Sequence, residues 1–213
     1  MEFIDQKLDD YVCAHSENEP TILYELNRET HMNVLRPRML SGHFQGRVLS
    51  MLSHMIKPKS ILEIGTYTGY SAFCLAEGLQ EGGKLITIDK NEELEDLVNE
   101  YIVKTGNQEK IQCIIGDAMD IIPSLENEFD VVFIDADKSN YINYYNLVFD
   151  QVTTGGYFIF DNVLWSGKVI EELDSNDLDT KVLLELNSLI HNDDRVQEVL
   201  LPIRDGLLIA RKK

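Results

Sequence analysis

The sequence is short of several things, and each shortage excludes something. Cysteine is scarce: Cys13, Cys74 and Cys113 lie far apart, form no CxxC pair and are odd in number. That pattern argues against a disulfide framework and suits free thiols in a reducing compartment. Positive charge is short as well. Nineteen Lys and Arg face 37 Asp and Glu, and the net charge of -18 repels a nucleic-acid backbone unless a local basic patch intervenes. The basic clusters are small, at Arg36-Pro37-Arg38, Lys57-Pro58-Lys59 and Arg211-Lys212-Lys213, so nucleic acid, including tRNA, is a minority reading. No run of about 18 apolar residues occurs, so no membrane-spanning helix is expected. The opening residues, Met1-Glu2-Phe3-Ile4-Asp5, are too acidic for a signal peptide. A cytoplasmic location is expected. Repeats, low-complexity tracts and linkers are missing too.

What is present is a chain of 213 residues, enough for one large domain with an ordinary core. Residues 1–56 read as helical. Phe3, Ile4, Leu8, Tyr11 and Val12 recur at helical spacing, as do Val48, Leu49, Leu52 and Met55. Pro37 and Gly42 mark an irregular joint between them. From residue 57 short apolar runs alternate with amphipathic stretches: Ser60–Ile64, Lys84–Ile88, Ile111–Ile115, Asp130–Ile134 and Tyr157–Phe160. Strands without period-two alternation, separated by helices, predict a parallel sheet covered on both faces. A helical stretch near 176–192 precedes Val196–Leu201 and Leu207–Ala210. Pro202 and Asp205-Gly206 between these two runs predict a hairpin. The expected architecture is α/β: a Rossmann-like, seven-stranded, mostly parallel sheet with a C-terminal antiparallel hairpin. Residues 1–56 would be a helical cap on a core spanning 57–213, all in one domain.

In an open α/β sheet ligands bind beyond the C-terminal ends of the strands. The first such end reads Ile61-Leu62-Glu63-Ile64-Gly65-Thr66-Tyr67-Thr68-Gly69-Tyr70-Ser71. It resembles a dinucleotide fingerprint but fails it, because Tyr67 stands where a second glycine must let a pyrophosphate approach. The turn and the helix it opens still offer N–H groups that favour a carboxylate. Glu63, just before the turn, can accept from an ammonium. Asp89 ends the second strand about 20 residues on, where an acid suits a ribose diol. Asp117 and Ala118 end the third, where a base would lie. An amino-acid end, a ribose and a base together point to S-adenosylmethionine.

The fourth strand ends abruptly in Phe133-Ile134-Asp135-Ala136-Asp137-Lys138, and the fifth in Phe160-Asp161-Asn162. Adjacent parallel strands lie roughly 4.8 Å apart, so Asp135 and the pair Asp161-Asn162 would reach one sheet edge. Two carboxylates and an amide carbonyl form a hard-oxygen set that suits Mg2+, with Ca2+ or Mn2+ as alternatives, rather than zinc. Each residue alone also has a plain structural reading. Gly65 and Gly69 make any tight strand–helix turn, Asp89 and Asp117 are helix caps, and Ser71 is a small residue in a packed first turn. Asp137 and Lys138 also read as an exposed pair at a helix start, and for Asp137 that is the simpler reading.

The motifs LEIGTYTGYSA, ITIDKNEE, GDAMDIIPSL, FIDADKSNYINYY and GGYFIFDNVLWSG occur in order. Together they resemble the cation-dependent class I O-methyltransferases, the group of catechol and caffeoyl-CoA O-methyltransferases. The resemblance runs from about Met39 to the C-terminus. It implies metal ligation by Asp135, Asp161 and Asn162 and a catalytic role for Lys138, which would also meet the substrate. It implies cofactor contacts at Met39, Ser41, Glu63, Gly65, Tyr67, Ser71, Asp89, Asp117, Ala118 and Asp135, and a homodimer. Trp165 would wall the substrate, since an aromatic beside a metal can sandwich a planar ring. His43 reads as structural. The expected reaction is methylation of one hydroxyl of a vicinal aromatic diol. A tRNA hydroxyuridine methyltransferase is the alternative. A nicotinamide or nucleotide-sugar enzyme is disfavoured by Tyr67, and a non-catalytic binding module by the presence of both the ligand set and the lysine.

Overall fold

The structure is a computed structural model and describes residues 5–213. Phe3 and Ile4, read above as part of the first helix, lie outside them. The strands lie in the order β3 (Ile111–Ile115), β2 (Lys84–Asp89), β1 (Ser60–Ile64), β4 (Phe129–Ile134), β5 (Val152–Asp161), β7 (Leu207–Lys212), β6 (Val196–Leu201), and the chain divides into two compact units.

One unit comprises residues 5–60 and Thr66–Asp117. It opens with helices α1 (Gln6–Ala14), α2 (Thr21–Asn33) and α3 (Gly42–Ile56), then α4 (Tyr70–Ala76), β2 (Lys84–Asp89), α5 (Glu95–Lys104) and β3 (Ile111–Ile115). Asp5 starts α1 by accepting from the Lys7 backbone N–H at 2.9 Å, which satisfies one of the donors a helix start leaves open. The expected joint is there: Pro37 opens a short 3-10 turn, Pro37–Met39, between α2 and α3. Helix α4 is buried along its whole length, so it packs as an interior helix. Arg47 on α3 is buried and donates to Glu77 just beyond α4, at 2.9 and 2.8 Å. Gly46 lets that pair close, because a Cβ there would stand 2.6 Å from the Tyr70 ring.

The other unit comprises Ile61–Gly65 and Ala118–Lys213. It contains β1 (Ser60–Ile64) apart from its first residue, α6 (Ala118–Ile121), β4 (Phe129–Ile134), α7 (Tyr141–Val148), β5 (Val152–Asp161), α8 (Leu178–His191), β6 (Val196–Leu201) and β7 (Leu207–Lys212). Strands β1, β4 and β5 run parallel. Their residues are buried at consecutive positions, as expected of strands covered on both faces. Ile134 lies opposite Phe160, so Asp135 and Asp161 leave their strands at the same level. Strand β7 is antiparallel to both β5 and β6; the predicted hairpin forms, and its second strand is the one that joins the sheet. Tyr145, Phe149, Phe158 and Phe160 build an aromatic core, with Tyr145 and Phe158 edge to face at 5.0 Å. Among the described residues no helix is long and apolar enough to cross a membrane.

Candidate active site

Strand β4 delivers Asp135, and the 3-10 turn Lys138–Asn140 that follows turns Lys138 back toward it. The Lys138 side chain is only 8% exposed, so its ammonium must be paired where it lies. The three N–H groups of Lys138 are shared among four acceptors: Asp135 Oδ1 at 3.1 Å, Asn162 Oδ1 at 2.9 Å, the Ala136 carbonyl at 3.2 Å and the Tyr141 hydroxyl. Tyr141 in turn donates to the Asp161 carbonyl at 3.1 Å. Burial, with the charges of Asp135 and Asp161 behind it, holds the Tyr141 phenol well above its ordinary value, so it stays a neutral donor. The sequence reading missed Tyr141. Its signal was the spacing Lys138-Ser139-Asn140-Tyr141, which puts residues i and i+3 on one face once the turn is helical.

Asp161 is buried and accepts from the Asn162 backbone N–H at 2.7 Å. Asn162 has φ 61°, a left-handed conformation that Asn tolerates better than most residues. The chain then winds through three further left-handed residues, Trp165, Ser166 and Gly167, and sets the Trp165 ring with its centroid 5.8 Å from Lys138 Nζ. Asp205, in the β6–β7 turn, accepts from the Ser166 backbone N–H. Burial raises its carboxyl above the ordinary value, opposed by that N–H and by the charge of Lys138.

Asp137 does not pair with Lys138. It accepts from the Tyr144 hydroxyl at 2.7 Å and from Asn140 Nδ2 at 2.6 Å, which makes it an organiser of the helix start. Gly65 has φ 101°, and a Cβ there would stand 2.0 Å from the Asp135 carbonyl oxygen. Only glycine therefore permits the end of β1 to lie against the end of β4. Glu63, on β1, is fully buried.

In the other unit, Asp89 at the end of β2 accepts from the Tyr67 backbone N–H at 2.7 Å and from that of Asn91 at 2.9 Å. The acid thus fixes the turn in which Tyr67 sits, at φ 48°. The Tyr67 hydroxyl donates to the Leu35 carbonyl at 3.0 Å, and burial raises its phenol. Ser41 and Ser71 are buried, Met39 is 54% exposed, and Asp117 is exposed while Ala118 is buried. His43 Nε2 lies 2.6 Å from the Glu17 carbonyl, the structural role expected of it.

Among the described residues no group of three His, Cys, Asp or Glu is placed to hold a metal. Any cation site here rests on two carboxylates and an amide. The donor chemistry fits a hard divalent ion: Asp135 Oδ1 and Asn162 Oδ1 already converge on one cationic nitrogen, and both are oxygens rather than thiolate or imidazole.

A family profile described as O-methyltransferase matches residues 13–213. Caffeoyl-CoA O-methyltransferase from Medicago sativa is 36% identical over 186 residues, covering 82% of this chain and 75% of its own. Caffeoyl-CoA O-methyltransferase 1 from Arabidopsis thaliana is 35% identical over 205 residues, covering 91% and 79%. Among solved structures, an O-methyltransferase from Bacillus cereus in complex with S-adenosylhomocysteine superposes with a TM-score of 0.90 at 29% identity, covering 97% of each chain. An S-adenosylhomocysteine-bound methyltransferase from Podospora anserina superposes at 0.88 with 28% identity, covering 97% and 94%.

Proposed function

Because the chain belongs to the S-adenosylmethionine-dependent O-methyltransferase family, we propose that it methylates one hydroxyl of a vicinal aromatic diol of the catechol or caffeoyl type. The observation that carries this is the convergence of Asp135 Oδ1 and Asn162 Oδ1 on the buried nitrogen of Lys138, with Trp165 beside it.

In this reading Asp135, Asp161 and Asn162 hold a divalent cation, Mg2+ in the first instance. When bound, it supplies Lewis-acid stabilisation of negative charge on oxygen. Trp165 stacks on the substrate ring and fixes its plane. Lys138 first gives up one ammonium proton to water, its neutral amine Nζ then takes up the proton of the reacting hydroxyl, and Tyr141 with Ala136 holds that nitrogen in place. The substrate oxygen attacks the methyl carbon of the sulfonium in line, a C–O bond forms as the C–S bond breaks, and the electron pair stays on sulfur. S-Adenosylhomocysteine leaves, and the proton on Lys138 passes to water. The chain contributes alignment and electrostatics.

The methyl donor is assigned residue by residue: Glu63 to its ammonium, the turn of Gly65 and Tyr67 with Ser71 to its carboxylate, Asp89 to its ribose, Asp117 and Ala118 to its base. Met39, Ser41 and Asp135 complete the assignment. The place of Glu63 on β1, just before the Gly65 turn that lies against the end of β4, supports it. A single catalytic domain is proposed because the one family match runs through both units. A homodimer and a cytoplasmic location complete the proposal.

The test is turnover of purified protein with labelled S-adenosylmethionine against catechol, caffeoyl-CoA and tRNA, with and without Mg2+. Cation-dependent label in a diol supports the proposal. Label in tRNA alone, or full diol methylation in EDTA, overturns it.

A further inference from the structure

Three consecutive left-handed residues are unusual where two of them are not glycine. Trp165 has φ 48°, Ser166 φ 54° and Gly167 φ 84°. Within the turn the Trp165 N–H donates to the Asn162 carbonyl at 3.2 Å and the Gly167 N–H to the Leu164 carbonyl at 2.9 Å, but two non-glycine residues in that conformation call for a hold from outside the turn as well. What holds it is the β6–β7 turn. The Asp205 side chain accepts from the Ser166 N–H. The Asp205 carbonyl accepts from the Leu164 N–H at 2.8 Å, and the Gly206 carbonyl from the Val163 N–H at 3.3 Å. Gly206, at φ 92°, brings the two segments together, because a Cβ there would stand 2.5 Å from Leu164 Cγ and 3.0 Å from its backbone nitrogen. Asp205 therefore ties down both ends of the Leu164–Ser166 segment, with Trp165 between its two hydrogen bonds.

We propose that Asp205 is a positioning residue for substrate: by clamping the left-handed turn it sets the Trp165 ring beside Lys138 and so fixes where an aromatic substrate stacks. The proposal rests on the reading of Trp165 as the substrate wall. Asp205 touches neither substrate nor reacting atoms and acts through the Trp165 turn.

Trp165 is the single tryptophan of the chain, so its emission reports this turn without interference and without substrate or metal. Asp205→Ala is expected to move that emission to longer wavelength and raise its quenching by acrylamide. It should raise KM for catechol by about fivefold or more while kcat stays within about twofold, the signature of lost substrate binding. Asp205→Asn keeps an oxygen that accepts from the Ser166 N–H and should restore both properties. Wild-type emission and KM in Asp205→Ala overturn the proposal, as does a failure of Asp205→Asn to rescue. If Asp205→Ala does not fold, hydrogen exchange of the wild-type Ser166 amide decides. Protection is expected although Ser166 is exposed, and exchange at the rate of an unbonded amide overturns the clamp. Emission and exchange are read without turnover, so they stand even if no diol is methylated.

Discussion

At the scale of single residues, Lys138 carries the sharpest expectation. The sequence offered two readings: a surface ammonium paired with Asp137, or a catalytic group. Its side chain is buried and bonded to Asp135, Asn162 and Tyr141, and Asp137 has other partners. Lys138→Ala should lower kcat by roughly 10²–10⁴-fold with methyl-donor affinity near wild type; wild-type kcat with catechol at saturating Mg2+ would falsify the role. Asp89 behaves differently from a purely ligand-binding acid. Its carboxylate would take two bonds from the ribose diol, each contributing about 1.5–3 kcal/mol. It also holds the Tyr67 and Asn91 backbone N–H groups. Asp89→Ala should therefore weaken S-adenosylmethionine by at least about tenfold and also lower Tm. Calorimetry and thermal melting measure the two effects separately, and unchanged affinity would move the cofactor elsewhere.

At the scale of elements, α8 has a start sensitive to acid. Asp177 accepts from the Thr180 N–H at 3.1 Å and from Lys168 Nζ at 2.6 Å. Led by the Lys168 bond, these hold its carboxyl at about 2, below the ordinary 3.8. A carboxyl depressed in the folded state stabilises it above the unfolded value and loses that effect as pH falls through the folded one. The cap should thus be fully effective above about pH 4 and fade towards pH 2. Asp177→Asn should flatten that part of the acid-unfolding curve followed by circular dichroism; an unchanged curve would show that the cap contributes nothing. The α3–α4 contact gives a second test. Gly46→Ala forces a Cβ to within 2.6 Å of the Tyr70 ring and 2.9 Å of Cys74 Sγ, both buried. Overpacking of this kind costs about 1–3 kcal/mol, read as a lower denaturation midpoint.

At the scale of the whole molecule, the proposed cation acts on the reaction and not on folding. Strands β4 and β5 pair from Val131 opposite Tyr157 to Ile134 opposite Phe160 before the ligand residues begin, and Lys138 already neutralises the oxygens there. EDTA should abolish turnover while Tm moves by no more than a few degrees. A large fall in Tm would make the ion structural. The net charge of -18 should leave tRNA unbound even at low salt, where the counterion effect most favours binding; a gel shift checks it.

The sequence by itself determined the elements. Consecutive apolar runs and the helical spacing between them are local signals, so β1 and β3 come out with their predicted bounds and α8 within two residues of its own. It also determined which strand ends carry chemistry, because Asp135, Asp161 and Asn162 each stop a buried run. Tertiary structure decided the rest. The hairpin was legible from Pro202 and Asp205-Gly206, but its return strand pairing with β5 is a long-range choice that no turn signal encodes. Gly65 read as part of a ligand turn, yet the need for glycine there comes from the carbonyl of Asp135, 70 positions on and in contact only after β1 and β4 pair. The partners of Lys138 could not be counted from spacing, because Asn162 arrives from another strand. Likewise nothing in the run Leu164-Trp165-Ser166 announces a left-handed turn. That conformation is unfavourable for Trp165 and Ser166 alone, and Asp205 and Gly206 are folded against it.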